Sequence, residues 1–304
     1  MAKGRPFRFG TGCYLASRSR AEYIDSVRRI EEMGYSILLC PDHFADWLGP
    51  LTSLMMAAEA SSTLRIGTFV LANDFRHPAV LAKEAATLDL LSGGRLELGL
   101  GTGYSGPDYT RTGVRMETAG IRVSRFMESV QVIKGLFSDG PVDFSGTYYT
   151  VQGLEGTPKP VQRPHPPLLI AGGSRRILSF AGREADIVGL IPRTRGGGIE
   201  FSEGQAASTA QQVEWVREGA GDRFADLELN TMVFNVVVTD HPRRAAEEIA
   251  VTVGVSPDLV LESIHFRVGT VDQMVDEIQM WRERFGISYI AVQEEDREAL
   301  APVV

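Results

Sequence analysis

Residues 40–47 read Cys-Pro-Asp-His-Phe-Ala-Asp-Trp, and they follow the apolar run Tyr35-Ser-Ile-Leu-Leu-Cys40 without a break. A carboxylate (Asp42), an imidazole (His43) and an indole (Trp47) thus fall just past a segment that reads as a buried strand. Histidine suits proton transfer because its ordinary pKa of ~6.5 lies near working pH. Each residue also has a bland reading: His43 can cap a strand end by hydrogen bonds, and Trp47 can belong to the core.

Two glycine-rich stretches stand beside this one. Gly101-Thr102-Gly103-Tyr104-Ser105-Gly106 is spelled like the dinucleotide-binding fingerprint. That motif needs a helix opening inside the glycine run, so that a pyrophosphate meets its N-terminus. Here Pro107 follows the third glycine, residues 108–119 read as loop, and the next helix is expected near Gly120. The acidic residue required ~20 positions on is missing as well. After a strand at the mouth of a barrel, such glycines have another use: they let a flat cofactor approach the backbone. The second stretch, Ala171-Gly172-Gly173-Ser174, opens a predicted helix whose first amides suit a phosphate. His77 reads as a helix-start residue before Pro78. His165, His241 and His265 are scattered, without H-E-x-x-H or a cysteine pair, so no metal site is expected.

The elements that must position these residues alternate. Apolar or strand-like runs begin near residues 7, 36, 65, 95, 167, 186, 229 and 287, with helical patterns between them. Eight strands with intervening helices imply a (β/α)8 TIM barrel, with a doubly wound sheet as the alternative. Two insertions break the rhythm: a hairpin near 142–153, with a Ser-Gly turn, and a loop and helix near 192–225. In the latter, Arg-Thr-Arg-Gly-Gly-Gly reads as a mobile loop. Thr270 and Gln273 form a predicted capping box, followed by Met274, Ile278, Trp281 and Phe285 as a buried stripe.

At 304 residues the chain is read as one domain, 1–304. Its 43% hydrophobic and 23% charged content is that of a globular protein with a real core. A net charge of −8 with no polybasic run argues against a nucleic-acid surface. No apolar run is long enough for a membrane span. Cys13 and Cys40, far apart and unpaired in pattern, suggest a reducing, cytoplasmic setting.

Taken in order, "PDHFADW", "IGTFVLANDFRHPAVLAKEAATLDLLSGGRLELGLGTG", "PKPVQRPHPPLLIAGG", "SFAGREADIV" and "VGTVDQMVDEIQMWRERFGISYIAVQ" resemble the luciferase-like monooxygenase superfamily, within it the coenzyme F420-dependent oxidoreductases. The resemblance covers nearly the whole chain. It implies a barrel, commonly a homodimer, with the deazaflavin at the C-terminal ends of the strands and a small-molecule substrate. FMN is the alternative cofactor, used with oxygen as in the monooxygenases of the superfamily. By position, the resemblance places Asp42 and His43 beside the redox ring and Trp47 on the substrate side. It makes Phe69-Val70 a non-proline cis peptide behind the ring. Asn73, Thr102 and Gly103 line the cofactor, and Ala171, Gly172, Gly173 and Ser174 cradle its phosphate. One departure matters. The sugar-phosphate dehydrogenases of this branch carry an acidic Glu where this chain has Tyr104, so the proton is expected to come from Tyr104, His43 or solvent, with Asp108 an outside candidate.

Overall fold

The computed structural model describes residues 5–16, 18–203 and 206–304. The strands expected from the sequence all form: β1 (Arg8–Gly12), β2 (Ile37–Cys40), β3 (Arg65–Thr68), β4 (Leu96–Gly101), β5 (Leu168–Gly172), β6 (Ile187–Leu190), β7 (Glu228–Val233) and β8 (Ile287–Val292). Their order in the sheet is β3-β2-β1-β8-β7-β6-β5-β4, and β3 also pairs with β4. That closed, sequential order is the (β/α)8 TIM barrel. A two-residue strand, Leu71–Ala72, extends the pairing along β4. Strands β2, β4, β5, β6 and β8 are buried at every residue. Parallel strands covered by helices have no wet face, which is why these segments read as unbroken apolar runs.

The helices start and stop on local chemistry. Helix α1 spans Arg20–Glu32, α2 Pro50–Ala60 and α3 Pro78–Leu91. Helix α3 opens with proline at its first position and with His77 Nδ1 accepting from the Ala79 amide at 3.2 Å. Gly93 and Gly94, both at positive φ, turn the chain out of it. The helix Val271–Phe285 carries the full capping box of Thr270 and Gln273, and buries Met274, Ile278, Trp281 and Phe285.

Three expectations are corrected. The stretch after the glycine run is not loop: helix α4 (Gly106–Thr112) begins on its third glycine. Ser105 is its N-cap, Pro107 lies in its first turn, and Gly113 closes it at φ 72°. A dinucleotide fold is therefore excluded by the barrel topology, not by lack of a helix at that point. The segment 194–199 is a small antiparallel pair, Thr194–Arg195 with Gly198–Ile199, turning through Gly196 and Gly197 at positive φ. The run Leu-Asn-Thr-Met-Val-Phe-Asn-Val-Val-Val, which reads from the sequence as a single strand, is two: β7 ends at Val233, and Asn235–Val238 pairs instead with Phe266–Gly269.

Helix α5 (Ala119–Phe137) precedes the inserted hairpin, which forms from Pro141–Ser145 and Thr150–Glu155. Its turn is anchored by Glu128, which accepts from the amides of Thr147, Tyr148 and Tyr149 at 2.8–3.2 Å. Two compact units divide the chain: Tyr14–Arg28 with Leu38–Ile170, and Met1–Cys13 with Arg29–Ile37 and Ala171–Val304. The second of these contains helices α6 (Arg175–Glu184) and α7 (Ala206–Ala220) and the part-buried pair of Arg8 with Glu228 at 2.7 Å. Among the described residues no helix is long and apolar enough to cross a membrane.

Candidate active site

In the unit containing residues 38–170, β2 delivers Asp42 and His43 at its C-terminal end, where barrel enzymes place their chemistry. The Asp42 carboxylate is buried and fully engaged. It accepts from the Ala72 amide at 3.0 Å and from both terminal nitrogens of Arg76, at 2.5 and 3.0 Å. A bidentate arginine fork holds a planar carboxylate in one orientation. Asp42 thus ties β2 to the segment 72–76 and leaves no oxygen idle for another group. Nothing in the sequence marks Arg76 as its partner.

Residues 68–70 pass closely behind β4. The Phe69–Val70 bond is cis, as expected. The Phe69 amide donates to the Cys40 carbonyl at 2.9 Å. Thr68 Oγ1 bridges to β4, donating to the Gly99 carbonyl and accepting its amide, both at 2.8 Å. The approach is possible only because β4 has no side chain there: a Cβ on Gly99 would lie 1.8 Å from the Thr68 carbonyl oxygen, and one on Gly101 would lie 2.6 Å from Val70 Cγ2. Beyond β4, Gly103 takes φ 72°, so between Leu100 and Tyr104 only Thr102 carries a side chain.

His43 is held from three sides. Its Nδ1 lies 2.6 Å from Asp108 Oδ2, and its Nε2 lies 3.5 Å from the Tyr104 hydroxyl. The Trp47 and Tyr104 rings meet it edge-on, at 5.3 and 5.5 Å between centroids. Trp47 is fixed in turn by a bridge to Leu15 and by the Tyr14 ring, 4.7 Å away. Burial raises the Tyr104 hydroxyl above its ordinary pKa, and the Asp108 charge adds to the effect, so the phenol keeps its proton at neutral pH.

A second buried carboxylate organises the neighbouring wall. Asp74 accepts from the Tyr109 hydroxyl at 2.8 Å and from Arg125 at 2.7 and 3.0 Å. Asn73 donates to the Tyr149 hydroxyl at 3.1 Å, which links the segment to the turn of the inserted hairpin. The Asn73 amide nitrogen is therefore directed at the protein's own tyrosine.

The glycines Gly172 and Gly173 lie in the other unit, at the end of β5, with Ala171 buried and Ser174 exposed at the start of α6. A Cβ on Gly172 would strike Ile177 at 2.3 Å. One on Gly173 would strike backbone atoms of residues 191–193 at 2.7–2.8 Å. Ser174 makes no side-chain cap bond, and Arg175 pairs with Glu218 at 2.9 Å. The glycine at 173 is thus demanded by packing within the unit itself. Gly173→Val should cost roughly 3 kcal/mol of stability before any ligand is added. Thermal melts of the cofactor-free variant check this; an unchanged melting temperature would show that the backbone of 191–193 yields freely. Among the described residues no group of three His, Cys, Asp or Glu side chains is placed to hold a metal ion.

This geometry has relatives. A family model described as luciferase-like monooxygenase matches residues 6–263. The chain is 31% identical over 238 residues to a protein of Kineococcus radiotolerans named F420-dependent glucose-6-phosphate dehydrogenase, covering 75% of this chain and 69% of that one. It is 33% identical over 207 residues to a protein of the same name from Amycolatopsis mediterranei, covering 66% of this chain but only 59% of the relative. Among solved structures, an F420-dependent secondary alcohol dehydrogenase in complex with an F420–acetone adduct superposes with a TM-score of 0.76 at 19% identity, over 99% of this chain and all of that one. The likeness in fold extends over the whole barrel, and the family model spans both the His43 segment and the β4 glycines. The chain belongs to the luciferase-like monooxygenase family.

Proposed function

We propose that this chain is an F420-dependent oxidoreductase that moves a hydride between the deazaflavin and a small organic substrate, with His43 handling the accompanying proton. The observation that carries the reading is the placement of His43: its Nε2 faces a protonated phenol, and its ring is walled by Trp47 and Tyr104. The curated relatives named as F420-dependent dehydrogenases support the cofactor.

The residues present fit such a group. The backbone leaving β4 is bare on either side of Thr102, which is what a planar ring needs to lie against it. Phe69, Val70, Thr102 and Gly103 would hold the ring. Asp42 would act indirectly, by fixing residues 72–76 through Arg76. In the other unit, Gly172, Gly173 and Ser174 stand at the start of α6, where helix amides lack internal partners, which is the chemistry an anionic group needs. When bound, F420 supplies a two-electron hydride carrier. The chain's own part is to orient substrate against Trp47 and to accept or return a proton at His43 Nε2. Arg76 is engaged by Asp42 and Arg125 by Asp74, and tyrosine stands at position 104.

Titration of the cofactor-free chain with F420 and with FMN tests this directly. F420 should bind tightly, read by its visible absorbance and fluorescence, and FMN weakly or not at all. Equal or tighter FMN binding, with oxygen consumed on reduction, would overturn the F420 reading.

A further inference from the structure

The geometry points to Asp108 as the positioning residue for His43: it keeps the ring hydrogen on Nδ1 and so presents Nε2, bare in the neutral ring, to the Tyr104 hydroxyl and to substrate. This rests on His43 being the proton-handling group. Asp108 is buried in the first turn of α4, where its amide is tied to the Ser105 carbonyl at 3.0 Å. Its two oxygens have separate duties. Oδ1 accepts from the Phe44 amide at 3.1 Å, and Oδ2 faces His43 Nδ1 at 2.6 Å.

Burial pushes the Asp108 carboxyl up, but hydrogen bonds from His43, Ser105 and the Phe44 amide outweigh burial and hold it below its ordinary value. It is therefore ionised at neutral pH, and an ionised carboxylate can only accept. At 2.6 Å, Nδ1 must be the donor. The neutral ring then has its lone pair at Nε2, where the Tyr104 O–H donates across 3.5 Å, near the outer limit of a hydrogen bond. When Nε2 takes up a proton, the imidazolium that forms is stabilised by the adjacent carboxylate, which stays ionised. A carboxylate holding a catalytic imidazole in this manner is worth up to ~10⁴ in turnover in the well-studied hydrolase triad. Here it serves a different reaction on an unrelated scaffold.

Asp108→Asn makes a sharp test because the two oxygens are distinguishable. The asparagine oxygen inherits the Phe44 amide, so its NH2 group faces Nδ1 and forces that nitrogen to accept. The ring hydrogen must then move to Nε2. Two-dimensional 15N NMR of the histidine rings, on the full cofactor-free chain, should show His43 as the Nδ1–H tautomer in wild type and as Nε2–H in Asp108→Asn. Turnover of the F420-loaded variant should fall ~10²–10⁴-fold, with F420 affinity retained. A merely structural Asp108 would lower the melting temperature without moving the ring hydrogen, and that result overturns the assignment. Should Asp108→Asn not fold, the wild-type spectrum decides alone, since an Nε2–H tautomer there overturns it too. Failure of the underlying reading looks different: His43→Ala would keep its turnover, whatever the tautomer.

Discussion

His43→Ala should leave F420 bound and lower turnover by ~10²–10⁴-fold, the usual worth of a positioned acid or base. The side chain is partly exposed at the end of β2, and its contacts are the Asp108 carboxylate and the edges of two aromatic rings. Truncation removes no buried apolar packing from the strand, so the fold survives it. Trp47→Ala removes a wall rather than a proton path, and its effect should fall mainly on the substrate's KM. Steady-state kinetics on both variants, with cofactor and substrate titrated separately, tells these apart. Wild-type turnover by His43→Ala would mean that Tyr104 or water carries the proton. Loss of F420 binding would make His43 a binding residue instead.

The largest structural effect should come from a single methyl group. Gly99→Ala places a Cβ 1.8 Å from a backbone oxygen, inside the hydrogen-bonded pair that Thr68 makes with β4. No rotamer change relieves a clash with main chain, so the cost should reach the top of the overpacking range, about 3 kcal/mol or more. Gly120→Ala is the control: its Cβ meets nothing within 4 Å, on helix α5, and φ is ordinary. That substitution should be neutral or stabilise by ~0.4–1 kcal/mol. Denaturant unfolding of the two variants gives the comparison, and similar midpoints would refute the claim that residues 68–70 cannot move.

The barrel was legible because its strands are buried on both faces. Runs such as Ile37–Cys40 and Leu96–Gly101 need no long-range knowledge to be seen. Helix α4 was also written in the sequence, as Ser105 before Gly106-Pro107-Asp108 and Gly113 at the exit. Its seven residues give too little apolar periodicity to outweigh a glycine run. The break at Phe234 is different. Nothing in Leu-Asn-Thr-Met-Val-Phe-Asn-Val-Val-Val says that its second half pairs with Phe266–Gly269, since either half reads as strand. The pairs that shape the site were hidden for the same reason. Asp42 and Arg76 are 34 positions apart, and His43 and Asp108 are 65 apart. Closure of the sheet makes them neighbours, and one sequence carries no record of that. Position 173 failed in the opposite sense: the glycine was visible, but the backbone of 191–193 that requires it was not.

The two glycines of β4 constrain the chain's future unequally. At Gly101 the obstruction is the Val70 side chain, 2.6 Å from the missing Cβ. A smaller residue at 70 would make room, so positions 70 and 101 can drift as a coupled pair, each change tolerated only in the presence of the other. At Gly99 the obstruction is the Thr68 carbonyl. No exchange of side chain removes a carbonyl, so no second-site substitution there can restore what the first one breaks. Along one strand, two residues apart, one position is open to compensated change and the other is an evolutionary dead end unless the path of 68–70 itself is rebuilt.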